Sequence, residues 1–154
     1  MIMEIGLLNT GNGIISLGME SAKIVKIIFG QFPDPLPVSD HPVMNTAIAQ
    51  LEEYFSGKRT EFSFAIQLVG TPFECRVWRA LAQVPYGEAI TYQQLSILAG
   101  HPNADRAVGT ALKKNPLPLV IPCHRVVRKD HSIGQFQGGS SWKQALLDLE
   151  RRPR

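Results

Sequence analysis

Two four-residue signals constrain this chain more than anything else in it. Thr71-Pro72-Phe73-Glu74 and Thr91-Tyr92-Gln93-Gln94 each place a threonine hydroxyl to accept from the N–H three residues on. In each, an acid or amide at that third position reaches back to the threonine N–H. Pro72 adds a pre-set φ at the first helical position. Each signal starts a helix: the first stops before Val84-Pro85-Tyr86-Gly87, and Gly100 closes the second. Asn103 is the expected cap of a further helix over residues 104–114, stopped by Asn115-Pro116. Two short helices joined by a tight turn containing Gly and Pro read as a helix-turn-helix. Gly138-Gly139 precede a last helix, with Ser141 as its expected cap, running to about residue 151.

The preceding stretch has a different grain. Residues 1–29 carry three strand-like runs, separated by Thr10-Gly11-Asn12-Gly13 and by residues 18–22, which predicts an antiparallel meander. A proline-rich loop over residues 32–42 leads to a helix over 43–56 that stops at Gly57, and residues 62–69 read as another strand. The expectation is an α+β chain: residues 1–70 a sheet-plus-helix domain, residues 71–154 a mainly helical one. A 154-residue chain with 44% hydrophobic and 19% charged residues can bury such cores. No apolar run spans a bilayer, and no basic leader segment precedes Glu4. Two cysteines without a framework suggest a reducing compartment, the cytoplasm or, for a eukaryotic source, the nucleus. With four scattered histidines they make no zinc spacing, so no metal and no cofactor are expected. A net charge of +3 fits a polyanionic partner only weakly, and where the cations sit matters more.

Their placement is informative on the helix over 104–114. Ala104, Val108, Ala111, Leu112 and Asn115 share one face, the core side. Arg106, Gly109, Thr110 and Lys113 share the other, where small residues between cations let a helix backbone approach a phosphate-walled groove. Such a face is ordinarily just solvated, and the preceding capped helix is what favours nucleic acid.

One short turn away lies Ile121-Pro122-Cys123-His124-Arg125-Val126. A cysteine after Val and Ile is ordinarily a small core residue. Here a proline fixes the backbone, and His124 and Arg125 are positioned to depress the thiol pKa, which would make Cys123 a nucleophile. Asn115 could hydrogen-bond the intervening turn and keep helix and cysteine in register. Glu150, on the last helix, could orient His124 as the third member of a relay. Neighbours on an extended strand point oppositely, so Cys123 and His124 need a bridging water or a locally turned backbone. A base inside a duplex would have to be flipped out to reach such a thiol.

These segments resemble the O6-alkylguanine-DNA alkyltransferases, also called methylated-DNA–protein-cysteine methyltransferases. The likeness runs from about Thr71 to Glu150. It takes in Tyr86-Gly87-Glu88, Tyr92-Gln93-Gln94-Leu95, Arg106-Ala107-Val108-Gly109, Asn115-Pro116, Pro122-Cys123-His124-Arg125 and Gly138-Gly139, in order and in spacing. The first domain resembles the family's ribonuclease-H-like α/β domain in general layout. The resemblance implies repair of double-stranded DNA by direct reversal: one alkyl group moves from O6-alkylguanine, and from O4-alkylthymine, to Cys123, which is spent. It casts His124 as base through a water, Glu150 as its orienter, Asn115 as hinge and Tyr92 as proton donor and phosphate neighbour. Arg106 would be the finger filling the space of the extruded base from a helix in the minor groove. Gly109, Thr110, Lys113 and Arg125 would join Arg106 and Tyr92 on the DNA. Pro118, Val126, Gly134, Phe136, Gln137 and Lys143 would form the substrate pocket.

The resemblance implies a monomer acting on DNA, with cooperative coating left open, and neither membrane nor cofactor. Relatives commonly carry a glycine in the hairpin where this chain has His131, and Gln135-Phe136-Gln137 replaces a small-residue and tyrosine pattern. Cys75 reads as structural. Two rivals remain. An alkyltransferase-like lesion-binding protein lacks the acceptor cysteine, and Cys123 counts against it. A Cys-His hydrolase needs an oxyanion hole and leaves Arg106 unexplained.

Overall fold

The computed structural model describes residues 2–153. Met1 and Arg154, the outermost residues of the two expected domains, lie outside the described residues. The chain divides into two compact units, the first ending at Leu68 and the second running from Val69 to Pro153.

The first unit is built on an antiparallel meander, β1 (Glu4–Thr10), β2 (Gly13–Glu20) and β3 (Lys23–Phe29), in the order β1-β2-β3. Thr10 shapes the first turn, its hydroxyl donating to the Gly13 carbonyl and accepting from the Asn12 N–H. The second turn is Ser21-Ala22 alone, both at positive φ, the backbone a two-residue hairpin of this hand requires. Gly18, expected in that turn, lies inside β2, at the register shift between Gly18 and Met19. The helix α1 (Pro42–Phe55) packs on this sheet at β1 and β3; Met44, Ala47 and Leu51 are buried on the helix, and Ile15, Leu17, Ile24 and Ile27 on the sheet. It comes so close to β1 that a Cβ on Gly6 would lie 2.5 Å from the Met44 sulfur.

Residues 62–69 are not the strand their composition suggests. They meet β3 at a single bridge, Ile66 to Ile24, with two backbone hydrogen bonds. Packing of the Phe62 ring against both Tyr54 and Phe64, with two hydrogen bonds between Gln50 and Ser63, holds the segment instead of a ladder.

The second unit is mainly helical: α2 (Pro72–Leu81), α3 (Tyr92–Leu98), α4 (Asp105–Lys113) and α5 (Ser140–Arg151). Both capping boxes form, with Thr71 and Glu74 satisfying each other's N–H groups and Thr91 and Gln94 doing the same. Trp78 is the hub, fully buried, its indole N–H donating to the Ala111 carbonyl of α4 at 2.9 Å. Gly70 passes against that indole, where a Cβ would fall 2.6 Å from the ring. Two parallel residue pairs, Ile90 with Val126 and Thr91 with Val127, join β4 (Ile90–Thr91) to β5 (Val126–Val127). This short ladder fixes the start of α3 beside the segment carrying Cys123. No described helix is long and apolar enough to cross a membrane.

Two caps differ from expectation. Asn103 adopts a left-handed φ of 67° and caps nothing; Ala104 is the cap residue of α4 and has no side-chain cap bond. The Ala104 N–H is satisfied by the buried Ser96 hydroxyl of α3 at 2.9 Å, while that hydroxyl donates to the His101 carbonyl. The last helix starts two residues early, at Ser140, after Gly139 at φ 92°, so Ser141 is helical and not a cap. Because Ser96 ties both helices of the pair to their turn, Ser96→Ala is expected to destabilise the protein by about 1–2 kcal/mol in urea unfolding. Asn103→Ala should cost far less.

Candidate active site

Asn115 organises the approach to Cys123. Directly after α4 it is buried, its Oδ1 accepting from the Leu117 N–H and its Nδ2 donating to the Ile121 carbonyl, both at 2.9 Å. One amide thus closes the Pro116–Pro118 turn and fixes where Ile121-Pro122 enters. The Cys123 N–H then bonds Ile121 O at 2.7 Å, and Arg125 N–H bonds Pro122 O at 2.9 Å. Cys123–Arg125 is therefore a single 3-10 turn, not a strand. The backbone is locally turned, and the strand expected around Cys123 shrinks to Val126–Val127.

Behind this turn lies a buried ionic cluster. The Glu150 carboxylate, from α5, meets His124 Nε2 at 2.6 Å and accepts from Arg125 Nε at 2.8 Å, Arg125 Nη2 at 3.0 Å and the Gly87 N–H at 3.1 Å. The third guanidinium nitrogen, Nη1, donates to the Val84 carbonyl at 2.7 Å, and the Tyr86 ring faces the guanidinium. Burial alone would raise the Glu150 pKa, but His124 and Arg125 outweigh it and hold the carboxyl well below the usual range. For His124 burial is the larger influence; it outweighs the carboxylate and keeps the ring neutral. With Nε2–H committed to Glu150, Nδ1 carries the lone pair. It is buried and has no hydrogen-bond partner among the described residues.

Arg125 is a correction to the sequence reading. It was expected on the DNA face, yet it is buried with its donors turned inward to Glu150 and Val84. Its alternation with exposed cations along the chain carries no sign of that; the tight turn aims it at α5.

The Cys123 thiol is a second correction. Burial pushes its pKa up to about 11, against the smaller opposing effects of the Asn115 hydrogen bond and the Lys143 cation. At neutral pH it is a thiol, not the ready thiolate that its neighbours in sequence suggest. The His124 ring is neutral, so His124 lowers it only through a backbone hydrogen bond, and the Arg125 charge is paired with Glu150.

Cys123 nonetheless opens onto space. It lines a cavity of about 780 Å³ with Tyr92, Arg106, Gly109, Thr110 and Lys113. The opposite wall holds Arg128, Gly134, Phe136 and Gln137. Tyr92, half-buried at the first position of α3, keeps its phenol proton more firmly than usual, chiefly through burial. The small Gly109 faces its ring, and a Cβ on Gly134 would sit 3.5 Å from its hydroxyl. Arg106, Thr110 and Lys113 are exposed on α4, while Val108, Ala111 and Leu112 are buried.

Three expected pocket residues lie outside the lining. Pro118 is buried in the turn, Val126 is buried in β5, and Lys143 is buried beneath the wall with its Nζ on the Val126 carbonyl. Two contributions went unread in the sequence. Arg128 brings a cation to the cavity after β5. The Gln137 side-chain amide reaches the Leu112, Lys113 and Asn115 carbonyls at 2.9–3.3 Å, capping the end of α4. His131 stands at φ 65° in the hairpin, the left-handed position where a glycine costs less.

Fold and site together define an α+β protein whose helix-turn-helix borders a cavity floored by a buried cysteine. Residues 72–152 match the family description "6-O-methylguanine DNA methyltransferase, DNA binding domain". Residues 4–68 match the "ribonuclease-like domain" of the same name. The chain belongs to the 6-O-methylguanine DNA methyltransferase family. It is 34% identical over 147 residues to the inducible methylated-DNA–protein-cysteine methyltransferase of Bacillus subtilis, covering 94% of this chain and 82% of that one. Against the Mycolicibacterium paratuberculosis methyltransferase it is 46% identical over 106 residues, 69% of this chain and 64% of that one. The crystal structure of Mycobacterium tuberculosis OGT in complex with DNA superposes with a TM-score of 0.87 at 33% identity, covering 96% and 92% of the two chains.

Because Arg125 holds a buried carboxylate, Arg125→Met is expected to cost about 3–5 kcal/mol by leaving Glu150 with too few donors. Lys113→Met, on the exposed face, should stay within about 0.5 kcal/mol. Denaturant unfolding of both variants checks the contrast.

Proposed function

We propose that this protein repairs DNA by direct reversal, moving one alkyl group from O6 of guanine, or O4 of thymine, onto the Cys123 sulfur. The observation that carries the reading is the shared cavity: a buried thiol at its floor, with a phenol and the cationic face of a helix-turn-helix at its rim. Its volume of about 780 Å³ lies in the range that encloses small ligands, roughly 300–1,000 Å³, room for an extruded nucleotide. Arg106 fills the vacated stack, while Lys113 and Arg128 meet phosphates and Gly109 permits close approach of α4.

The chemistry is an in-line displacement at carbon. The sulfur–carbon bond forms as the carbon–O6 bond breaks. The thiol proton passes, through a bridging water, to the lone pair at His124 Nδ1, whose other nitrogen is fixed by Glu150. Tyr92 delivers its proton to the guanine ring so that the base leaves neutral, and the phenolate is restored from the His124 imidazolium. The net change moves one proton from sulfur to guanine and one alkyl group the other way. A thioether in this site has no group to cleave it, so each monomer acts once. Holding the thiol protonated until a lesion arrives limits its reaction with other electrophiles.

Incubation with an oligonucleotide containing O6-methylguanine, followed by intact-protein mass spectrometry, is expected to show a gain of one methyl per molecule and none in Cys123→Ala. An unchanged mass alongside tight lesion binding would identify a sensor instead, and turnover without an adduct a hydrolase. Arg106→Ala should slow transfer from duplex DNA about ten- to a hundredfold, the loss of part of an extrusion energy of a few kcal/mol. It should leave reaction with free O6-benzylguanine nearly unaltered. Equal losses on both substrates would remove the finger role.

A further inference from the structure

Two spaces flank α4. The Cys123 cavity lies on one side. On the other, a groove of about 660 Å³ separates α4 from the start of α2; Phe73, Glu74, Arg106, Thr110 and Lys114 are among its lining. Arg106 and Thr110 border both spaces. A helix set into a groove of duplex DNA meets a phosphate backbone on each flank. The Cys123 cavity accounts for only one of them.

In the turn between α3 and α4, His101 makes a contact that the reaction above does not use. Its Nε2 accepts from Arg76 Nε of α2 at 3.2 Å, and its ring meets Phe73 edge-on, centroids 5.0 Å apart. Phe73 in turn lines the groove. The backbone holds this position: the His101 N–H donates to the Ser96 carbonyl at 3.0 Å, and the His101 carbonyl accepts from the Ser96 hydroxyl and the Ala104 N–H.

An imidazole nitrogen that accepts from a guanidinium carries no proton, and protonating it would set two cations side by side. An anion between them reconciles the charged ring with Arg76. His101 Nδ1 and both Arg76 Nη atoms have no hydrogen-bond partner among the described residues, and no carboxylate there pairs with either side chain. Glu74, the nearest acid along α2, is held by the Thr71 N–H and by Lys114. Arg79 is exposed one turn beyond Arg76. On α4, Arg106 lines the groove, while Asp105 and Lys113 line the Cys123 cavity. The only titratable group of α3 is Tyr92, at its far end.

We propose that His101 and Arg76 form a proton-linked phosphate seat for the DNA backbone on the flank of α4 away from Cys123. The inference rests on α4 being the element set into the duplex. As a phosphate arrives, the ring takes one proton from solvent, the Arg76–His101 hydrogen bond opens, and both cations donate to phosphate oxygens. Histidine is the side chain whose charge ordinarily changes near neutrality. A phosphate that favours the charged ring is, by reciprocity, bound more tightly once the ring is charged. Affinity for duplex DNA therefore rises as pH falls, whether or not the duplex is damaged.

Titration calorimetry of the whole protein with an undamaged duplex, in buffers of unequal ionisation enthalpy, reads the protons taken up. The wild-type protein is expected to take up part of one proton per molecule bound, and to bind several-fold tighter at pH about 6 than at about 7.5. His101→Gln, which keeps an acceptor for Arg76, should lose most of that uptake and flatten the pH dependence. His131→Gln, in the hairpin after β5, should keep both. Arg76→Met should weaken binding and lower the salt slope by about one. Uptake that persists in His101→Gln, or vanishes in His131→Gln, overturns the proposal, since a contact that merely braces α2 against the turn would leave proton uptake unmoved. The unmutated chain gives a check that no variant's folding can blur. In nitrogen-15 NMR of the histidine rings, the His101 midpoint should rise when duplex is added, and an unmoved midpoint would equally overturn the seat. Wild-type protein that binds no duplex at any pH would overturn the groove reading of α4 and the seat together.

Discussion

The Glu150 carboxylate carries more of this structure than any other single group. It accepts from His124, twice from Arg125 and from the Gly87 backbone, so a charge taken out of water is fully surrounded by donors. A buried ion of this kind is tolerable only with such completeness, because losing one partner exposes the desolvation penalty of the rest. Its satisfaction ties together three stretches distant in sequence: the end of α5, the turn after Pro122, and the Val84–Gly87 corner that Arg125 reaches through Val84. The same carboxylate sets the tautomer of His124 and thereby decides which ring nitrogen holds a lone pair. Packing and chemistry depend on one group.

How legible each part was in the sequence follows from how local its cause is. The capping boxes at Thr71 and Thr91 act over three residues, and both are present as read. The residue that starts α4, Ala104, is held by the Ser96 hydroxyl eight positions back, and Asn103 offered a nearer and wrong candidate for the cap. Residues 62–69 have the composition of a strand, but their aromatic rings find Tyr54 before their backbone finds a ladder. The Asn115 amide spans the turn in which the sequence places it, since both its partners lie within six residues.

The misread residues fail for one physical reason. Arg125 and Cys123 were judged by their neighbours along the chain, whereas their states are set by burial. In sequence, a cation beside a thiol suggests an ionised sulfur. In three dimensions the turn sends the guanidinium away toward α5, and the sulfur is left buried with its proton. Lys143, expected in the substrate pocket, is buried instead with its ammonium on the Val126 and Gln135 carbonyls.

The Gln137 amide hangs one flank of the cavity from the last carbonyls of α4. Enlarging the chamber at that residue would therefore also fray the C-terminus of α4, the helix whose exposed face carries Arg106 and Lys113. Under the proposed repair reaction, breadth of lesion accepted and fidelity of groove engagement would be inherited together through this single side chain.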